Sequence, residues 1–128
     1  MTWLPKPDQL YMNQAPLFSV IVPSKGNRPR ALARALTSVE TAHQQLIGIT
    51  GQHNIVEVLV GFDGVGIQKV VQLPYIRWYK FPYEGYFGNA IRNGLLKAAK
   101  GRYILFLDDD NALTTEALSA FYPFLDQS

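Results

Sequence analysis

At 128 residues the chain is one domain, large enough to bury a substantial core and too small for two. Twelve Lys and Arg against ten Asp and Glu leave a net charge of +2, which is no electrostatic footprint for nucleic acid. With no cysteine there are no disulfides, thiolate metal sites or cysteine nucleophiles.

No apolar run reaches the roughly 18 residues a membrane span needs, and Met1 to Pro7 lacks the basic-then-apolar shape of a signal peptide. A cytoplasmic protein is expected, with peripheral membrane association left open. The first sixteen residues, with Pro5, Pro7 and Pro16, read as an extended arm. Residues 17–128 read as a single domain.

Leu17 to Val22 is β-branched and aromatic, a buried strand that Pro23 should close. A polar loop, Ser24 to Pro29, follows. From Arg30, Leu32, Leu36, Val39, His43 and Leu46 recur every three or four residues and predict one face of a helix, ended by Gly48 and Gly51. Ile55 to Val60 is a second strand, apolar enough to be covered on both faces, and Gly61-Phe62-Asp63-Gly64 reads as its closing turn.

Val65 to Leu73 is ambiguous, with a weak helix as one option. Ile76 to Lys80 predicts a third strand, and Phe81 to Gly88 an aromatic loop. Ala90 to Lys100 reads as a helix with Ile91, Leu95 and Ala98 inward, despite Gly94. Tyr103 to Leu107 is the fourth strand and runs into Asp108-Asp109-Asp110-Asn111. Thr114 is a candidate N-cap for a last helix through Leu118, Phe121 and Leu125, with Glu116 in its first turn and its far end weakened by Pro123.

Strands alternating with helices predict an α/β fold, a mainly parallel sheet between two helical layers. Ligands of such sheets bind outside the carboxyl ends of the strands. Attention therefore falls on Pro23 to Arg30, Gly61 to Gly66 and Asp108 to Asn111.

Three adjacent carboxylates repel one another, and a cation relieves that repulsion. In an extended segment Asp108 and Asp110 would face a common ligand while Asp109 turns away. Hard oxygens without Cys or paired His favour Mg²⁺ or Mn²⁺ over zinc. A solvated acidic turn is the bland alternative. Asp63 can accept from a ribose hydroxyl or a base N–H, or merely stabilise its own turn.

Lys25, Arg28, Arg30 and Arg34 can neutralise a diphosphate or start a solvated helix, Arg28 being the least bland of them; Arg92, beside Asn93, can also reach phosphate. Neither G-x-x-x-x-G-K-[ST] nor G-x-G-x-x-G occurs, so Gly64 and Gly66 build no phosphate-cradling loop. His43 and His53 form no ligand spacing. No Ser-His-Asp arrangement stands out, and G-x-S-x-G is missing.

Phe18 to Ser24, Val56 to Gly64 and Gly88 to Asp110, in that order, resemble the N-terminal, donor-binding half of a family 2 glycosyltransferase with the GT-A fold. The resemblance implies an inverting transfer from a nucleotide-diphosphate sugar, most simply a UDP- or GDP-sugar, to an unidentified acceptor. It implies that Pro23, Ser24, Asp63, Arg92, Asp108 and Asp109 contact the nucleotide-sugar. Asp110, with Asp108, would be the metal ligand of a DXD-type motif.

Phe62 stands where the family usually has a first acid, and Lys25-Gly26 where a base-stacking aromatic is common. The resemblance also implies a second half that binds the acceptor and supplies a carboxylate base. Glu116 and Asp126 are poor substitutes for that base, so a fragment or a degenerate member is expected. A sheet edge left open by the missing half would make a homodimer plausible.

Two other classes compete. A phosphatase of the haloacid-dehalogenase type also has D-x-D after an apolar strand, with a nucleophilic Asp108, but that motif opens its domain and only 18 residues follow Asp110 here. The other is a non-catalytic module binding nucleotide or protein through the same crevice.

Overall fold

In the computed structural model, which describes residues 16–83 and 89–125, the first apolar run forms β1 (Phe18–Ser24) at the centre of a four-stranded parallel sheet. The helix α1 (Pro29–Thr50) leads to β2 (Val56–Asp63), and an irregular stretch leads to β3 (Ile76–Phe81). Next come α2 (Asn89–Ala98), β4 (Tyr103–Phe106) and α3 (Ala117–Leu125). The strand order is β3-β2-β1-β4. The arm expected over residues 1–16 lies outside the described residues except for Pro16, which is buried, and Glu84 to Gly88 of the aromatic loop also lie outside them. No helix among the described residues is long and apolar enough to cross a membrane.

The parallel sheet between helical layers is the fold the alternating pattern predicts, and the corrections are local. β1 does not close at Pro23, which sits in register with Gly61. The backbone oxygens of Leu17 and Ile21 accept from Tyr103 and Leu107, so alternate residues of β1 turn their polar groups toward β4. Pro23 belongs to that series but lies past the end of β4, and its missing N–H therefore costs no ladder bond.

β2 likewise runs through Gly61 to Asp63 instead of turning there. A Cβ at Gly61 would come within 2.5 Å of Ile91 Cγ2, so this glycine admits α2 against the sheet. Gly94 does the same from the helix side, where a Cβ would lie 2.4 Å from the Phe81 ring. Val65 to Leu73 contains no helix, and Leu107 falls just outside β4.

α1 carries Pro at its first turn and runs through Gly48 to a left-handed cap at Gly51 (φ 70°), whose N–H donates to Ile47 O at 2.7 Å. Leu32, Leu36, Val39, His43 and Leu46 are buried as their spacing predicts. With Leu118 they cover one face of the sheet, packed on Val20, Val22, Val58, Val60 and Phe62. Ile91 and Leu95 of α2 cover Ile21 and Leu59 on the other face. Each such side chain contributes about 1.5–3 kcal/mol on leaving water.

α3 begins at Ala117, later than a Thr114 cap would place it. That start turns Leu118 and Tyr122, four apart, toward the core and leaves Phe121 56% exposed. The side chain of Leu125 lies outside the described residues.

His43 is a core histidine. Its ring meets Tyr75 edge-on at 4.9 Å, and neither ring nitrogen has a hydrogen-bond partner. Burial lowers its pKa below the ordinary 6.5, although Glu40, 3.9 Å away, pulls the other way. A lowered histidine pKa means the unfolded chain takes up the proton first, so stability is full above pH 6.5 and is lost as the pH falls below it. The melting temperature is therefore expected to drop between pH 7.5 and pH 5.5, and His43→Phe should flatten that drop. Equal slopes for both proteins would refute the assignment.

Candidate functional site

The chain runs outward from β1 to β2 and β3, then crosses back to place β4 on the other side of β1. This reversal between β1 and β4 is where an open α/β sheet leaves a crevice outside its carboxyl ends. A cleft of about 300 Å³ opens there. β1 and its loop supply Pro23, Ser24, Lys25 and Arg28, β2 supplies Asp63, α2 supplies Ile91 and Arg92, and the turn after β4 supplies Asp108, Asp109 and Asp110. The turn bearing Asp63 and the acid triplet thus share one rim of one sheet.

The triplet lies in a turn rather than in the strand itself. β4 ends at Phe106, and Asp108 N-terminally closes a turn in which the Asn111 N–H donates to Asp108 O at 3.1 Å. The side chains nonetheless keep alternating through this turn: Asp108 and Asp110 are exposed, and Asp109 points inward. It is 3% exposed, with Oδ2 accepting from Ser24 Oγ at 2.9 Å and Oδ1 from Arg28 at 2.8 Å. The other prong of Arg28 donates to Asp110 Oδ2 at 3.0 Å. Asp108 is exposed to the cleft, with Arg92 3.6 Å from its Oδ1.

Asp63 is the last residue of β2 and is buried, held in register with Phe81. In the following turn Gly64 (φ 73°) donates to Phe81 O at 2.8 Å. Of the four cations near the first loop, Lys25 and Arg28 line the cleft, whereas Arg30 and Arg34 lie exposed on α1 away from it. His43 is in the core and His53 is exposed, so neither contributes.

Two features escape the sequence reading. Arg28 is singled out there only as a phosphate partner, whereas it clamps two acids of the triplet. Ile91 reads as plain core but also lines the cleft, an apolar wall beside Arg92 whose only signal is its place one residue before that arginine.

Among the described residues no three His, Cys, Asp or Glu side chains gather as metal ligands. Asp110 and Asp108 offer hard oxygens at the cleft, while both oxygens of Asp109 are already engaged. Such a donor set fits Mg²⁺ or Mn²⁺, which keeps water and takes substrate phosphate, and does not fit a cation caged by protein alone. Three cations facing four carboxylates leave the cleft close to neutral, with both signs of charge on its walls.

A search of curated proteins returns no significant match. Among solved structures, residues 1–349 of S. aureus TarS in complex with UDP match with 26% identity and a TM-score of 0.67, covering 86% of this chain and 32% of that one. The same protein in complex with UDP-GlcNAc matches with 25% identity and a TM-score of 0.65, covering 86% and 31%. The S. aureus TarS structure that is not limited to residues 1–349 gives 24% identity and a TM-score of 0.65 over 86% of this chain and 19% of that one, a likeness of fold. The chain thus spans about a third or less of the length of the structures it matches. The glycosyl transferase family 2 model matches residues 19–128, from β1 through the acid turn and α3 to the last residue, and the chain belongs to that family.

Proposed function

We propose that the cleft binds the nucleoside diphosphate of a nucleotide-sugar, and that the protein transfers the sugar to an acceptor with inversion. The observation that carries this reading is the convergence of Asp63 and the acid turn on one cleft at the switch point of the sheet. UDP is favoured as the nucleotide because TarS has been solved with UDP and with UDP-GlcNAc.

Asp63, at the buried end of β2, accepts a hydrogen bond from a ribose hydroxyl or a base N–H. Arg28, Lys25 and Arg92 face the diphosphate. Ser24 holds Asp109, and through it the turn that presents Asp110. Asp110 and Asp108 would hold Mn²⁺ or Mg²⁺, which when bound offsets the charge developing on the departing nucleoside diphosphate. The acceptor's proton needs a base. Glu116 is exposed and does not line the cleft, and Asp126 lies outside the described residues, so neither is assigned that role.

Binding is accordingly the readout. Calorimetric titration with UDP in the presence of Mn²⁺ is expected to give saturable heat. Asp63→Ala should weaken UDP at least tenfold with or without metal, and Asp110→Ala should remove only the dependence on Mn²⁺. Equal heats for the wild type and Asp63→Ala would overturn the nucleotide assignment.

A further inference from the structure

One guanidinium bridges Asp109 and Asp110, and this contact bears on how the cleft selects its ligand. The two carboxylates do unlike work. Asp109 is buried, with one oxygen on Ser24 and the other on Arg28, so it is fixed to the end of β1. Asp110 is half exposed, and its Arg28 contact lies at the solvent side of the bridge.

Arg28 itself is 48% exposed and springs from the loop at the top of β1, where no side chain caps the start of α1. Its fork is therefore seated firmly on one side and loosely on the other. A divalent cation on Asp110 would stand within a few ångströms of the guanidinium, and like charges at that range repel strongly. The planar fork that spans two carboxylates also matches the oxygens of a diphosphate.

Building on the proposed metal-assisted binding of a nucleoside diphosphate, we infer that Arg28 competes with the divalent cation for Asp110 and thereby couples metal binding to diphosphate binding. Without a diphosphate, the cation displaces Arg28 from Asp110 into water, and its affinity is low. With a diphosphate in the cleft, the displaced guanidinium gains a new partner, and the two ligands reinforce each other. Reinforcement of this kind is reciprocal, so the metal must tighten the nucleotide by the factor by which the nucleotide tightens the metal. Arg28 is thus a positioning residue that makes the cleft respond to the metal–diphosphate pair rather than to either alone.

The effects of Arg28→Ala on the two ligands are expected to have opposite signs. Titrated with Mn²⁺ alone, the variant should bind the ion about five- to tenfold more tightly than the wild type, because the competitor is gone. Titrated with UDP at saturating Mn²⁺, it should bind about tenfold more weakly. The factor by which UDP tightens Mn²⁺ should shrink accordingly.

Arg28→Lys keeps a charge but cannot span two carboxylates, and it should fall between the two proteins in both titrations. Circular dichroism melts of each variant verify that the half-exposed substitution leaves the fold intact. Unchanged or weaker Mn²⁺ affinity in Arg28→Ala, with Asp110→Ala abolishing Mn²⁺ binding, would overturn the competition while leaving the metal site standing. No Mn²⁺ binding to any of these proteins would overturn both, and the UDP titrations of Asp63→Ala would still judge the nucleotide reading separately.

Discussion

Gly101→Ala is expected to destabilise the domain by about 3 kcal/mol, near the upper end of what overpacking a core costs, and to lower the melting temperature by roughly 10 °C. Gly101 lies where the chain passes from α2 into β4 and crosses the start of β1. A Cβ there would lie 2.7 Å from the backbone N of Ser19 and 2.8 Å from the backbone carbonyl carbon of Phe18. Backbone on a central strand cannot yield as the tip of a side chain can. The Gly101 N–H also donates to Ser19 Oγ at 2.8 Å, and any shift that relieves the clash stretches this bond. Chemical denaturation of both proteins tests this, and a loss below about 0.5 kcal/mol, the scatter of neutral surface changes, would show that the crossing is looser than described.

Glu57→Ala should cost a similar amount, about 3 kcal/mol, because it strands several donors at once. The Glu57 carboxylate sits at the second residue of β2 with one tenth of its side chain exposed. Its Oε2 accepts from Ser19 Oγ at 2.5 Å and from the Lys100 N–H at 2.6 Å, and its Oε1 accepts from Arg77 at 2.7 Å. Arg77 in turn donates to Ala98 O, so the last turn of α2 is pinned to the sheet by one buried cluster.

Burial alone would raise the Glu57 pKa, but the hydrogen bonds from Ser19, Lys100 and Arg77 outweigh it and hold the group below its usual 4.5. A lowered carboxyl pKa stabilises the fold above pH 4.5, and that contribution is lost as the pH falls through the lowered value. Unfolding free energy measured down to pH 3 should therefore fall steeply in the wild type and much less in Glu57→Ala. Parallel curves would show that the carboxylate carries no such linkage. Ser19→Ala combined with Glu57→Ala should cost less than the two single losses together, since both act on one cluster.

What could be read in advance follows from which signals are local. The four strands and the face of α1 announce themselves through period and composition, because burial of Val20, Val58 or Leu36 depends only on which side of an element they occupy. The ends of β1 and β2 do not. Pro23 and Gly61 look like stops in one dimension, yet Pro23 lies past the end of its β4 neighbour and Gly61 makes room for Ile91, and both causes come from elsewhere in the chain.

The site divides in the same way. Asp63 and the acid triplet are visible because each follows an apolar run directly, and the parallel topology sends them to one rim. The seating of Asp109 on Ser24 and Arg28 is hidden, since both partners come from β1 and its loop, far away in the chain. Glu57 did carry a signal, as the one charge in the apolar run from Ile55 to Val60.

The close seating of α2 on the sheet has a consequence for how this sequence can change over time. Gly61, Gly94, Ile91 and the Phe81 ring share one volume, and a methyl added at either glycine must be matched by something smaller at Ile91 or Phe81. Neutral drift at these four positions should therefore proceed by linked exchanges, and a library that varies them one at a time would sample mostly dead ends. A library that varies them jointly could move the helix bearing Arg92, and so reshape the cleft without altering its charged lining.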